Sequence, residues 1–217
     1  MIKIGWHSIA ILSMTIAIVL FGLGSYIAMI LPSSPDPTLR DNYRIIFFHV
    51  PSAITSFIAF TITLISAIMF LRSQKVEWDL ISYSSVKAGF FLITAALISG
   101  SIWAKVAWGS YWNWDPRQTT VLILWFTYAA YLALRSSIDD EEVRAKICGV
   151  FAIFAYLTIP LTYLSTRIFF SLHPTTIQLG IEIGLPLVMI FISILSLYIA
   201  FVLIDVKIAK INLKLES

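Results

Sequence analysis

The sequence predicts an all-α, polytopic membrane protein, and three observations carry that prediction. Of its 217 residues, 59% are apolar and only 12% are charged. The mean hydropathy is +0.89. Six stretches each approach the roughly 20 mostly apolar residues that a helix needs to cross a bilayer. A soluble domain is typically about half apolar and about a quarter charged, so this chain lacks the polar surface to cover a water-facing globule. That excludes a cytosolic enzyme, a disordered chain and a nucleic-acid-binding domain. None of the stretches alternates with period two as a membrane β-strand does, which leaves a helical bundle.

The stretches are residues 8–31, 51–71, 86–107, 116–134, 147–164 and 183–204. The first is too long for a signal-peptide core and five more follow it, so it reads as a retained helix. Pro51 and Pro186 stand where a first-turn proline is tolerated, and Pro160, late in the fifth stretch, is expected to kink it. Asp115-Pro116-Arg117-Gln118 reads as a capping-box start for the fourth. The longest connection, about 165–182, is too short for a soluble domain, so residues 1–217 form a single six-span membrane domain. Residues 168–181 are amphipathic, as for a segment lying along the interface. The one cysteine, Cys148, excludes a disulfide framework and a zinc cage built on cysteine pairs. The chain also has no C-x-x-C-H, hence no haem held through thioethers.

Basic residues in short loops set orientation. With the N-terminus inside, ten of the fifteen lysines and arginines, Lys3 among them, fall on inner segments. Arg40, Arg44, Lys105, Arg117 and Arg167 fall on outer ones. Both termini are therefore expected in the cytoplasm of a bacterial-type inner membrane. The outer, periplasmic face then carries His49, the segment 105–118 and His173.

Trp103, Trp108, Trp112 and Trp114 lie within twelve residues, with Tyr111 among them. An aromatic belt at the membrane–water interface explains one or two such rings. It does not explain three in seven residues interleaved with Gly109, Asn113 and Asp115, which offer an apolar platform for a large planar ligand. Gly109 lets backbone or ligand approach closely. Two histidines on the same face, His49 before Pro51 and His173 before Pro174, match the imidazole pair that ligates a six-coordinate haem iron. His7, on the inner side, has no such role. Propionates need cations: Arg117, with its planar fork, fits best, Arg44 and Arg167 flank the histidines, and Lys105 reads as a snorkelling interfacial residue. Asp115 reads first as a helix cap.

The run Trp108-Gly109-Ser110-Tyr111-Trp112-Asn113-Trp114-Asp115-Pro116-Arg117-Gln118-Thr119 resembles the tryptophan-rich "WWD" signature of the haem-handling proteins of cytochrome c maturation. Phe48-His49-Val50-Pro51 and Ser171-Leu172-His173 resemble that family's two external histidine sites. The departures are Tyr111, where tryptophan is frequent, Pro116, where a small residue is usual, and Gln118, where leucine is frequent. The resemblance implies haem b bound non-covalently at the external face, with His49 and His173 as axial ligands. It implies a haem-handling role for Trp108, Gly109, Tyr111, Trp112, Trp114, Asp115 and Arg117. As partners it implies a membrane-anchored haem chaperone, an ATP-binding-cassette complex and a small single-span subunit.

Delivery of haem without catalytic turnover is the leading expectation, because no nucleotide-binding loop, nucleophile–base pair or intramembrane carboxylate relay is present. Three alternatives stand beside it. A synthetase of the same superfamily would attach haem to apocytochrome thiols, but such relatives are longer and carry histidines within their spans, whereas the six stretches here hold none. A transmembrane haem exporter would show broken helices and midplane polar groups. A purely structural scaffold would have no use for the tryptophans and histidines.

Overall fold

The structure is a computed structural model that describes residues 5–34, 37, 39–173 and 180–216. Lys3 and residues 174–179 of the amphipathic 168–181 segment lie outside the described residues. Among the described residues all regular structure is helical. The helices are α1 (Trp6–Ile30), α2 (Ile46–Ser73), α3 (Val76–Trp108), α4 (Pro116–Ser136), α5 (Glu141–Ala155), α6 (Thr158–Ile168) and α7 (Ile181–Glu216), with a 3-10 turn at Arg40–Ile45 leading into α2.

Five helical segments are long and apolar enough to cross a membrane: Trp6–Ile30, Arg40–Ser73, Val76–Trp108, Glu141–Ile168 and Ile181–Leu215. The fourth stretch also forms a helix, α4, of 21 residues. Its composition is more polar than theirs. It packs against α3, α5 and α6, and its fully buried side chains include Tyr128 and Tyr131. Tyr128 stacks on Phe60 of α2 with ring centroids 3.5 Å apart.

The fifth stretch is two helices. The chain turns at Tyr156–Leu157, one turn ahead of Pro160, whose missing N–H would have bonded the Tyr156 carbonyl. The Ile159 amide takes that carbonyl in a tighter bond of 3.0 Å. The proline does break this span, upstream of its own position. Pro51 and Pro186 sit deeper than a first turn, because α2 begins at Ile46 and α7 at Ile181. His49 is consequently a helical residue inside the Arg40–Ser73 segment, which corrects the expectation that no histidine lies within a span.

Helix pairing follows side-chain size. In lipid no hydrophobic force drives helices together, so small residues mark the contacts. The buried face of α1 is Ala10, Ser13, Ala17, Gly24 and Ala28, packed along α7, with Ser193 donating to the Ala17 carbonyl at 2.7 Å. The buried face of α2 is rich in Ser, Thr and Ala, including Ser52, Thr55, Ser56, Ala59, Thr63 and Ala67, and packs along α3. Large residues such as Ile18, Met29, Phe91 and Ile168 point outward.

Near the start of α3, ion pairs tie it to α4 and α7. Arg135 makes a two-pronged bond to Asp79 at 2.8 and 2.6 Å, both residues buried. Its guanidinium also lies 4.3 Å from the Tyr83 ring centroid. Lys87 pairs with Asp205 at 2.7 Å, and Ser84 donates to the same carboxylate. Removing one member of a buried pair strands the other's charge, which costs about 3–5 kcal/mol. Asp79→Ala is therefore expected to lower unfolding stability in detergent by about that much. Asp79→Leu/Arg135→Met is expected to recover most of it. A single variant as stable as wild type refutes this account of the α3–α4 contact.

Candidate functional site

A cavity of about 240 Å³ opens between α2, α3 and α4, at the opposite end of α3 from those ion pairs. α2 contributes Ile46, His49, Ala53 and Phe57, and α3 contributes Ile93, Ala96, Gly100 and Trp103. These spacings of three and four residues put each set on one helix face. Trp108, Trp112, Arg117, Gln118 and His173 complete the wall. The two histidines, 124 positions apart in the sequence, thus line one space. Among the described residues no carboxylate lines it.

The tryptophan-rich segment is a folded turn. α3 ends on Gly109 at φ +81°, a left-handed helix cap that glycine takes without steric cost. Its amide donates to the Lys105 carbonyl at 3.1 Å. Nothing in the protein stands within 4 Å of where a Cβ would be, so it is the positive φ that calls for glycine among the protein's own atoms. Gln118 closes the turn from the other side: its Oε1 accepts from the Asn113 amide at 3.0 Å, and its Nε2 donates to the Tyr111 carbonyl at 3.4 Å. The glutamine of the expected capping box therefore reaches back past the cap residue.

The aromatic rings part company. Trp108 and Trp112 face the cavity, joined by Trp103 from α3. Trp114 holds φ +55°, a conformation costly for a residue with a Cβ, and its ring is 73% exposed. Trp112 and Trp114 meet edge to face, centroids 5.8 Å apart at 89°, so the segment is not one flat platform. Tyr111 is also exposed and lies outside the cavity wall, with Lys105 5.7 Å from its ring centroid.

The cations divide in the same way, and Arg117 is the one that reaches the cavity wall. Its Nη1 donates to the Thr162 carbonyl at 2.9 Å, while its buried Nε has no partner among the described residues. Lys105 donates to the Gly109 carbonyl at 3.0 Å. Arg44 bonds the Ala28 carbonyl at 3.0 Å, the Leu31 carbonyl and the Asp41 carboxylate. Arg167 bonds the Tyr163 carbonyl at 3.2 Å and lies 4.0 Å from its ring centroid. These three fasten backbone at helix ends.

Asp115 is buried and does two jobs. One oxygen accepts the Arg117 amide at 2.9 Å and so caps α4. The carboxylate also accepts the Ser171 hydroxyl at 2.8 and 3.0 Å and the Leu172 amide at 2.7 Å. Ser171 Oγ in turn accepts the His173 amide at 3.1 Å. The cap read from sequence is correct, but the second role is invisible there, because nothing local links position 115 to position 171. The sequence offered Trp103 only as a member of the tryptophan cluster and did not single out Ser99 or Gly100; the helical spacing of Ile93, Ala96, Gly100 and Trp103 was the available signal.

A family profile described as "Cytochrome C assembly protein" matches residues 2–173. The chain belongs to the cytochrome c assembly protein family. Within it the chain is CcmC-like. It is 30% identical over 197 residues to a "Heme exporter protein C" of Haemophilus influenzae, covering 87% of this chain and 79% of that protein. It is 32% identical over 173 residues to a "Putative cytochrome c biosynthesis ccmC-like mitochondrial protein" of Marchantia polymorpha, covering 77% and 73%. A "Cytochrome c biogenesis protein CcsA" of a Synechococcus strain is 48% identical over 73 residues, 34% of this chain and 23% of that protein. This cytochrome c assembly chain is thus a multi-pass membrane protein of the haem exporter type.

The double duty of Asp115 can be read out directly. Asp115→Ala is expected to cost α4 about 1 kcal/mol through loss of its cap. A hydrogen bond to a charged acceptor contributes about 1.5–3 kcal/mol, so the Leu172 amide should exchange with deuterium at least about tenfold faster. Unchanged exchange at Leu172 refutes the link to the His173 segment.

Proposed function

We propose that the chain binds haem b non-covalently at the external membrane face and delivers it to a membrane-anchored haem chaperone during c-type cytochrome biogenesis. His49 and His173 serve as the axial ligands of the iron. The observation that carries this reading is their convergence, with Trp103, Trp108, Trp112 and Arg117, on one cavity.

The residues present fit the group. Among the described residues no cluster of three or more His, Cys, Asp or Glu is placed to hold a bare metal ion. Two imidazoles suit an iron whose remaining ligands come from a macrocycle. Indole faces suit a planar apolar ring. The unpartnered Nε of Arg117 suits a carboxylate such as a propionate. Ligand pockets commonly measure about 300–1,000 Å³, so a cavity of about 240 Å³ accepts part of the ring and leaves the rest accessible from outside. Such partial enclosure serves a protein that must give its ligand away. When bound, haem supplies the iron and the reactive vinyl groups; the chain's residues bind, orient and release it. Trp114, strained and exposed, and Tyr111 beside it face outward, where a partner can meet them.

The proposal includes six spans, with α4 as the sixth, both termini in the cytoplasm and the site on the periplasmic side of a bacterial-type inner membrane. It includes work beside an ATP-binding-cassette complex and a small single-span subunit, and no catalytic turnover by this chain.

Purified protein tests the core of the reading through its visible spectrum and haem content. His49→Ala and His173→Ala are each expected to lose most of the haem and to shift the Soret band, and Arg117→Leu to retain the band position but bind more weakly. Wild-type haem content and band position in both histidine variants overturn axial ligation. The local likeness to relatives named for cytochrome c biogenesis leaves room for one second reading, that the chain itself attaches haem covalently to apocytochrome. Haem-loaded protein mixed with an apocytochrome alone decides it: covalent transfer without a chaperone favours the second reading.

A further inference from the structure

His49 meets α3 through one ring nitrogen. Its Nδ1 lies 3.0 Å from the Ala96 carbonyl oxygen and 3.1 Å from Ser99 Oγ. A carbonyl only accepts, so this contact is a hydrogen bond only when Nδ1 carries the proton. The Ser99 hydroxyl agrees, because it spends its own hydrogen on the Ala95 carbonyl at 2.7 Å and turns its lone pairs to the ring. A neutral imidazole protonated at Nδ1 keeps its free lone pair on Nε2.

Clearance for the ring comes from the next residue. A Cβ at Gly100 would stand 2.8 Å from His49 Cε1, 3.3 Å from Nδ1 and 3.7 Å from Nε2. The first of these is closer than side-chain carbons approach, so any larger residue displaces the imidazole from its acceptors.

We propose that α3 sets the tautomer and position of His49: the Ala96 carbonyl and the Ser99 hydroxyl hold the proton on Nδ1, Gly100 leaves room for the ring, and Nε2 is the atom offered to a metal. Ser99 and Gly100 are positioning residues. Metal-binding histidines commonly donate their second N–H to a carbonyl, which fixes the ring and raises the basicity of the ligating nitrogen. That Nε2 binds haem iron rests on the haem reading above; that the proton sits on Nδ1 does not.

The test uses the full chain in phospholipid nanodiscs with 15N-labelled histidine, the His49 signals being those lost in His49→Ala. Haem-free protein is expected to show a protonated Nδ1 and a bare Nε2. A protonated Nε2, or a rapid average of the two tautomers, overturns the proposal. Ser99→Ala is expected to shift the Nδ1 signal and to weaken haem binding about tenfold, the lower end of such outer-shell effects. Ser99→Thr is expected to restore both. Gly100→Ala is expected to move the His49 signals and to lose haem while keeping its helical circular dichroism. Variants at 99 and 100 with wild-type signals and wild-type affinity overturn the proposal. Failure of the haem reading itself shows differently: His49→Ala and His173→Ala would keep their haem, while the haem-free tautomer signal would persist.

Discussion

A single carboxylate holds the cavity end of this molecule together. Asp115 stands at the junction of the tryptophan turn and α4, and its carboxylate bonds reach both α4 and the segment before α7. The Arg117 amide fixes the start of α4, and the Ser171 hydroxyl and Leu172 amide fix the approach to His173. A buried carboxylate is costly unless donors surround it. Here the donors are backbone and hydroxyl groups of separate segments, so satisfying the charge and assembling the site are the same event. The cation wall of the cavity depends on it too, because Arg117 is the second residue of the helix that Asp115 caps.

The remainder of the bundle supplies a rigid frame for that junction. α3 runs 33 residues and links the two ends of the fold. At one end Asp79 and Lys87 tie it to α4 and α7 through buried or half-buried ion pairs. At the other its face of Ile93, Ala96, Gly100 and Trp103 forms a wall of the cavity. Small residues between α2 and α3 let the two backbones approach, and close approach is what brings the His49 ring onto the Ala96 carbonyl. Position along a membrane helix is thus converted into position at the site, with little left to loop conformation on this side.

Much of this was legible in the sequence, and the part that was not has identifiable causes. Apolar runs announced the helices, and the punctuation at Asp115-Pro116 marked the start of α4 to the residue. Helix starts at 46 and 181 were missed because prolines at 51 and 186 look like first-turn residues, whereas each helix begins five residues ahead of its proline. The motif spacing identified His49, His173, Trp108, Trp112 and Arg117, all of which reach the cavity. It could not separate them from Tyr111 and Trp114, since which way a ring points after a turn depends on backbone angles such as the positive φ of Trp114. Gly109 was recognised as special, and the structure adds that it takes a left-handed helix cap. Contacts between distant segments, Asp115 with Ser171 and His49 with Ser99, have no local pattern at all.

The two imidazoles are held by different means, and the difference bears on what the site can do. His49 sits on a helix, its Nδ1 engaged by a neighbouring helix and its ring against Gly100. His173 sits on a short non-helical segment whose tie to the rest, on the N-terminal side, runs through hydrogen bonds of Ser171, Leu172 and the His173 amide to or through Asp115. Hydrogen bonds of that kind contribute about 1–3 kcal/mol each and exchange readily with water, whereas displacing His49 means moving packed helices. A protein that only stored a planar ligand would gain from rigid support on both faces. One that must take the ligand up and then surrender it needs one face to open, and local opening draws on the segments with the fewest packed contacts. On the proposed haem reading, the helical side sets where the ligand sits, and the loop side, tied on its N-terminal flank through Asp115, is the side that opens for release.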